Sequence, residues 1–332
     1  MGARLPSNLG LDLARVTEAA ALGAGRWMGF GKRDEADQAA THAMAAALNE
    51  LELSCHVVIG EESRLGVHSP LDSGEEIGGG LGPGIDLVLD PIDGSSLLTK
   101  GYPNAISVAG AAPRGAMLSL YPAVYMEKIV VDRQVAEFLV PECMDAPAAW
   151  TLALVARMKK KAVRDLVVFV LDRKRHVDLI EEIRVAGARV LLHPEGDIAG
   201  ALMAAYPKVN VDLLMGVGGV PEGIIAACAV KPLSGAMLAR LAPQSEEERE
   251  LVRSAGLDLT RIYTQDDLVS GEEIFFAATG ITDGVLLSGV KYHGEEAETE
   301  SLVLRCQTGT RRIVQAVYRD QESGIRDQGR ST

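Results

Sequence analysis

The sequence predicts an α/β protein with mixed sheets, and three observations predict it. Residues 166–230 alternate short apolar strands with helical segments, the pattern of parallel crossovers. Residues 104–131 carry successive strands separated by turn residues, the pattern of antiparallel pairing. Two amphipathic helices precede both stretches. A chain of 332 residues is comfortable for two domains. We expect an α+β domain over 1–145 and an α/β domain over 146–320. The tail, 321–332, has no periodicity and is expected to be disordered.

Leu11, Leu13, Val16, Ala19, Ala20, Leu22 and Trp27 recur at helical spacing and place a helix over 11–30, which Gly29-Phe30-Gly31 ends. Asp34 is placed to cap a second helix running to about Leu51, with Asp37 at its third position. Val57-Val58-Ile59 is a strand that Gly60-Glu61-Glu62-Ser63 ends. Residues 64–84 are rich in Gly, Ser and Pro and form a long loop of the kind that often serves as a lid. Gly80-Leu81-Gly82-Pro83-Gly84 has the look of a dinucleotide fingerprint, but a strand follows it instead of a helix, which excludes a Rossmann site.

Leu87-Val88-Leu89 is a short buried strand that Pro91 stops, and a short helix follows to Lys100. Strands are expected over 104–112, 117–120 and 124–131, and residues 141–147 read as an interdomain linker. Then come a helix (148–161), a strand (166–171), a helix (174–186), a strand (189–192), a helix (196–205), a strand (211–215) and a helix (223–230). Residues 246–249 read as a solvated charged helix face. Strands over 274–278, 284–290, 301–305 and 312–318 complete the reading.

Composition narrows the function. The net charge of -13 argues against nucleic acid or an anionic membrane as partner. No apolar run reaches the length of a membrane span. Met1-Gly2-Ala3-Arg4-Leu5-Pro6 has no apolar leader, and Pro6 breaks the myristoylation pattern, so a cytoplasmic location is expected. Cys55, Cys143, Cys228 and Cys306 form no CxxC pair, which leaves them as buried free thiols. The apolar surplus points to a homodimer or homotetramer.

The chemistry centres on Asp86-Leu87-Val88-Leu89-Asp90-Pro91-Ile92-Asp93-Gly94-Ser95-Ser96. An apolar strand ends in two carboxylates three residues apart, followed by Gly94, Ser95 and Ser96 opening a helix. Free backbone N–H groups at a helix start suit a phosphate, and clustered carboxylates suit hard divalent cations. Read alone, the stretch is equally a strand, a turn and an N-cap. Four further polar clusters fall where strands of an α/β sheet end: Glu61, Arg173-Lys174-Arg175, Glu195-Gly196-Asp197, and Gly218 to Gly223 with Glu222. Each could be a turn or a helix start by itself; their joint placement favours a site.

These residues resemble a known family. Residues 57–61 and 90–95, Val124-Tyr125-Met126-Glu127-Lys128, Arg175-His176, residues 194–197 and 216–223, and Ala278-Thr279-Gly280-Ile281-Thr282 are similar to class II fructose-1,6-bisphosphatases, from about Val16 to Tyr318. The Asp-Pro-Ile-Asp-Gly-Ser core is shared with the wider superfamily of metal-dependent sugar and inositol phosphatases. The resemblance implies the layered sugar-phosphatase fold, α-β-α-β-α with mixed sheets. It implies hydrolysis of the 1-phosphate of fructose 1,6-bisphosphate, as in gluconeogenesis or Calvin-cycle sugar metabolism. It implies two or more Mg²⁺ or Mn²⁺ ions, Asp37 and Glu61 holding one and Asp90, Asp93 and Glu222 a second. Gly94, Ser95 and Ser96 would hold the phosphate being removed, with Ser95 orienting the attacking water. Tyr125, Arg173, Lys174, Arg175, Glu195, Gly196, Asp197 and Gly219 would bind the sugar and its other phosphate. Arginine matches phosphate oxygens, and the carboxylates at 195 and 197 suit sugar hydroxyls. The implied reaction is in-line attack on phosphorus by a metal-activated water.

The departures from the family pattern are specific. Glu62-Ser63-Arg64-Leu65-Gly66 replaces a stretch carrying two further acids, so Glu62 is expected to take over water activation. Asp93 replaces a glutamate, Ser95 a threonine, Glu195 an aspartate, and Arg33, a catalytic candidate, a lysine. The Glu61-Glu62-Ser63 and Asp-Gly-Ser segments also look like inositol monophosphatases, whose later Trp-Asp metal motif is absent here. The alternatives are therefore a sedoheptulose 1,7-bisphosphatase, an inositol or sugar monophosphatase, and a non-catalytic sensor of metal and sugar phosphate.

Overall fold

The computed structural model describes residues 5–60, 68–80 and 82–319. Helices α1 (Leu9–Gly25) and α2 (Arg33–Asn49) lead into β1 (Ser54–Ile59), β2 (Glu76–Ile77), β3 (Gly84–Asp93), α3 (Ser95–Lys100) and β4 (Ile106–Pro113). The middle of the chain holds β5 (Tyr125–Val131), α4 (Ala148–Lys159), β6 (Val167–Leu171), α5 (Val177–Val185), β7 (Arg189–His193), α6 (Asp197–Ala205), β8 (Leu213–Gly219), α7 (Val220–Val230), β9 (Ala236–Leu241), α8 (Glu246–Ser254), β10 (Ile262–Thr264) and α9 (Gln265–Leu268). It closes with β11 (Phe275–Gly280), β12 (Lys291–His293), β13 (Glu296–Arg305) and β14 (Thr310–Arg319).

The strands form two mixed sheets. The first runs β12-β13-β11-β4-β3-β1-β2, with β14 also on β13; the second runs β10-β9-β5-β8-β6-β7. In the second, β6 pairs parallel to both β7 and β8, while β5 is antiparallel to β8 and β9. Helices α1 and α2 cover the outer face of the first sheet, in one core with Leu87, Leu89 and Ala109. Helices α4 and α5 cover the outer face of the second. Between the sheets lie α6 and α7, whose described side chains are apolar almost all round. A helix without a polar stripe belongs inside, and their alanines and glycines admit close neighbours. The result is the α-β-α-β-α layering that the family resemblance implied.

The two sheets divide the chain differently from a boundary at 145/146. Strand β5 lies at the centre of the second sheet, and residues 275–319 return to the first. Residues 141–147 are no linker: a 3-10 turn, Pro141–Met144, tucks Cys143 and Met144 under the second sheet. Pro91 does not stop β3. Its parallel partner β1 last pairs at Val88, and the register with β4 slips between Asp90 and Asp93, so no ladder needs an N–H from Pro91. Residues 117–120 make only an isolated bridge, Met117 to Val269, and 284–290 are bends and irregular chain before β12. The segment 246–249 is not wholly solvated, because Glu248 is buried. Three of the free cysteines are buried and Cys306 is half-buried. The expected tail lies outside the described residues.

Candidate functional site

The ends of β3, β6 and β8 and the start of β5 meet around one cavity of about 410 Å³. Arg33, Asp90, Asp93, Gly94, Ser95, Tyr125, Arg173, Arg175, Glu195, Gly196, Asp197, Gly219 and Glu222 line it. Three expected site residues, Asp37, Ser96 and Lys174, are not in its lining. Glu61 and Glu62 lie outside the described residues, as does most of the altered loop.

Asp37 reaches the cavity through Ser95. Helix α2 starts at Arg33, so Asp37 sits in its second turn and caps nothing. Its Oδ1 accepts from Ser95 Oγ at 2.7 Å, and Arg33 Nε lies 3.5 Å from its Oδ2. Asp90 turns back on the bulge, its Oδ1 accepting from the Ile92 N–H at 3.0 Å. Asp93 is buried and accepts from the Ala199 N–H at 2.9 Å, in the first turn of α6. Burial, and then the charges of Asp197, Glu222 and Glu195, push its carboxyl up to about 8 against that hydrogen bond.

The helix start expected to hold phosphate already holds a carboxylate. The Ser96 N–H donates to Glu195 Oε2 at 2.9 Å, and Ser96 Oγ donates to Oε1 at 2.7 Å. Arg173 Nη2 stands 3.8 Å from the same Oε1. Arg175 donates twice to the Val217 carbonyl, at 2.9 and 3.1 Å, and its guanidinium lies 5.0 Å from the centre of the Tyr125 ring. His176 fixes that carbonyl's residue from behind. Its Nε2 accepts from the Val217 N–H at 2.7 Å, and its Nδ1 lies 2.7 Å from the Leu171 carbonyl. Leu171 O can only accept, so Nδ1 carries the proton and the ring is neutral. Burial, helped by Arg175, lowers the His176 pKa and favours that state.

Sequence reasoning gave no site role to Lys128. It is 1 % exposed, forms an ion pair with Asp197, and donates to the Gly219 carbonyl at 3.3 Å. A signal was present. Lys128 alternates with Met126 and Val130, both core residues, so an amine on that face had to find a buried partner. Gly218 and Gly219 make room for two acids. A Cβ on Gly218 would stand 1.8 Å from Asp197 Oδ2, and one on Gly219 would stand 1.8 Å from Glu222 Oε2. His193 was missed as well; it stacks on Phe169 with ring centroids 5.6 Å apart and meets Asn104.

The donors fit a hard divalent cation in kind. They are all oxygens, their negative charge is crowded, and glycines clear the space beside Glu222 and Asp197. They are not gathered for one: among the described residues no three His, Cys, Asp or Glu groups are placed to hold a metal ion. Asp93 can take part through Oδ1 while Oδ2 keeps the Ala199 N–H.

The model of the family described as bacterial fructose-1,6-bisphosphatase, glpX-encoded, matches residues 7–318. The chain belongs to that family. A fructose-1,6-bisphosphatase class 2 from Haemophilus influenzae is 38% identical over 323 residues, covering 93% of this chain and 96% of the relative. A Synechococcus protein named D-fructose 1,6-bisphosphatase class 2/sedoheptulose 1,7-bisphosphatase is 37% identical over 340 aligned residues, covering 95% and 96%. A second Synechococcus protein of the same name is 36% identical over a similar span. The class 2 family consists of phosphoric monoester hydrolases and is metal-dependent.

Proposed function

We propose that this protein hydrolyses the 1-phosphate of fructose 1,6-bisphosphate, releasing fructose 6-phosphate and inorganic phosphate. The observation that carries the reading is one cavity in which Asp90, Asp93 and Glu222 share walls with Arg173, Arg175 and Tyr125. A bisphosphorylated sugar needs both: acids where phosphate is cut, and arginines where the other phosphate is held. Asp37, Glu61, Asp90, Asp93 and Glu222 would hold two or more Mg²⁺ or Mn²⁺ ions, which when bound would supply the positive charge that lowers the pKa of a water and neutralises the phosphoryl group.

The chain's own residues supply position. Ser95 Oγ donates its hydrogen bond to Asp37, which leaves its lone pairs free to accept from a water beside the phosphate. Glu195 must release Ser96 before the Gly94-Ser95-Ser96 backbone can receive phosphate, because two anions cannot share those donors. Asp197, paired with Lys128, is held as an acceptor for sugar hydroxyls. Arg33, next to Asp37, faces the departing phosphate. Glu62 takes the proton of the attacking water; a Glu62→Gln variant with undiminished kcat would rule that role out.

The test is phosphate release from fructose 1,6-bisphosphate with Mn²⁺ or Mg²⁺, beside an Asp90→Asn control. Metal-dependent release that the control lacks supports the reading; no release from the parent protein refutes it. A second reading, hydrolysis of sedoheptulose 1,7-bisphosphate, is favoured by the names of the two Synechococcus relatives. Comparing kcat/KM for the two bisphosphates separates them. We also propose a cytoplasmic homo-oligomer, dimer or tetramer, which sedimentation would test. No helix among the described residues is long and apolar enough to cross a membrane.

A further inference from the structure

Helix α8 begins far from the cavity in sequence, and its first turn contains an unusual carboxylate. Ser245 caps the helix by accepting from the Glu248 N–H at 3.1 Å. In a capping box the glutamate would reach back to the N-cap's own N–H. Glu248 instead reaches across to the second sheet. Its Oε1 accepts from the Val124 N–H at 2.9 Å and the Tyr125 N–H at 3.0 Å, and its Oε2 accepts from the Gln244 N–H at 2.8 Å. The residue is 8 % exposed. A buried carboxylate with three backbone donors is a strong local anchor.

What it anchors is the cavity's edge. Tyr125 lines the cavity and lies under Arg175. The Tyr125 carbonyl accepts from Ala242 N–H at 2.9 Å, and the Val124 carbonyl accepts from Val220 N–H at 2.8 Å, two residues before Glu222. Val124 and Tyr125 stand at the open end of β5. Without Glu248 their N–H groups would have no partner there, and the ring under Arg175 would lose its fixed height.

We propose that Glu248 is a positioning residue for the substrate's distal phosphate, acting through the backbone of Val124 and Tyr125 on the Tyr125–Arg175 pair. This rests on the phosphatase reading above. Glu248 does not line the cavity, so its loss is expected to act on binding and leave the chemical step alone.

The experiment compares Glu248→Ala, Glu248→Gln, Tyr125→Ala and the double variant Glu248→Ala/Tyr125→Ala in the full-length protein. Each is measured for kcat and KM on fructose 1,6-bisphosphate and, without turnover, for calorimetric binding of fructose 6-phosphate. The expected result is a KM about tenfold higher in Glu248→Ala with kcat within about twofold, as for loss of uniform binding. Glu248→Gln keeps an acceptor oxygen for both N–H groups and should restore KM to within about twofold. In the Tyr125→Ala background, Glu248→Ala should add nothing further, as expected for residues acting as a unit. Equal falls in kcat and kcat/KM, no rescue by glutamine, or full additivity with Tyr125→Ala would each overturn the proposal. A lower Tm with unchanged KM would mean a structural role only and overturn it too. If Glu248→Ala does not fold, Glu248→Asp, whose shorter side chain draws the carboxylate back from the Val124 and Tyr125 N–H groups, takes its place: a raised KM with kcat kept supports the proposal, and an unchanged KM overturns it. Failure of the parent protein to hydrolyse the bisphosphate while binding fructose 6-phosphate would sink the phosphatase reading alone, and the binding series would still judge Glu248.

Discussion

Strand β8 has acids at both ends, and the two ends treat them in opposite ways. Before it, Asp212 Oδ1 meets Lys161 Nζ at 2.7 Å and Lys159 Nζ at 3.1 Å, and Oδ2 accepts from the Val167 N–H at 2.9 Å. Lys159 also pairs with Asp132 at 2.7 Å. Burial alone would raise the Asp212 carboxyl, but Lys161, the Val167 N–H and Lys159 together hold it below the usual carboxylate range. Beyond the other end, Asp93 faces the charges of Asp197, Glu222 and Glu195, and they raise its carboxyl, while Lys128 pairs with Asp197 and Arg173 stands near Glu195. The same sheet therefore has one end whose charges are balanced for stability. The other crowds carboxylates around Asp93, a repulsion that a positive ligand would relieve, the arrangement expected where function competes with stability.

The largest expected effect comes from Asp90, on the cavity that the unbalanced end faces. Asp90→Asn should lower kcat/KM about a thousandfold or more, ~4 kcal/mol of barrier, while Tm stays within about 2 °C of the parent, as for a change under ~1 kcal/mol. A collapse in Tm would show that this acid, too, serves the fold.

At the balanced end the expectation reverses. Asp212→Asn should cost ~1–3 kcal/mol, because Lys161 loses its carboxylate and the buried Lys159 is left with Asp132 alone, with kcat and KM unchanged. Its pH dependence has a definite sign. The folded-state pKa of Asp212 is depressed, so its contribution is present above the unfolded carboxylate pKa and is lost as pH falls through the folded one. The Tm gap between parent and variant should therefore be full near neutral pH and close in acid; a gap that widened in acid would contradict the ion-pair account.

A metal titration sharpens the contrast. Mn²⁺ at about a hundred times its Kd should stabilise the parent by ~2.7 kcal/mol, and a chelator should reverse it. The gain should survive in Asp212→Asn and vanish in Glu222→Gln; survival in both would move the metal away from this cavity. The smallest effect is expected at Glu195. Glu195→Asp shortens the reach to Ser96 and should tighten inorganic phosphate about three- to fivefold, ~1 kcal/mol, the worth of one hydrogen bond. Weaker binding would mean that Glu195 helps hold phosphate.

Most of the layering could be read from the sequence because periodicity and strand-end chemistry are local. The alternation over 166–230 marks β6 to α7, and the polar clusters at strand ends mark the residues that line the cavity. What could not be read depended on distant partners. Pro91 is tolerated only because β1 ends first and the β4 register slips. Glu248 looked solvated because its three donors belong partly to β5, more than a hundred residues away. The assignment of β5 to one sheet and β11 to the other is a matter of pairing, which composition does not encode. Lys128 and the Ser245–Glu248 spacing did carry signals: an amine on a core face, and a capping box whose acid could be diverted.

The return of the last strands to the first sheet has a consequence for biosynthesis. Helix α1 packs against β11 and β13, and a Cβ on Gly10 would stand 2.9 Å from Val303 Cγ1. Strand β4 has β3 on one side and waits for β11 on the other. On the ribosome, residues 84–113 therefore cannot finish their sheet until residues 275–305 have emerged. The middle of the chain can assemble its own sheet meanwhile, while an apolar helix and an open strand edge stay unpaired beside it. A message cut short before codon 275 would release a product with that edge exposed for good, so premature termination should yield aggregates and no smaller folded enzyme.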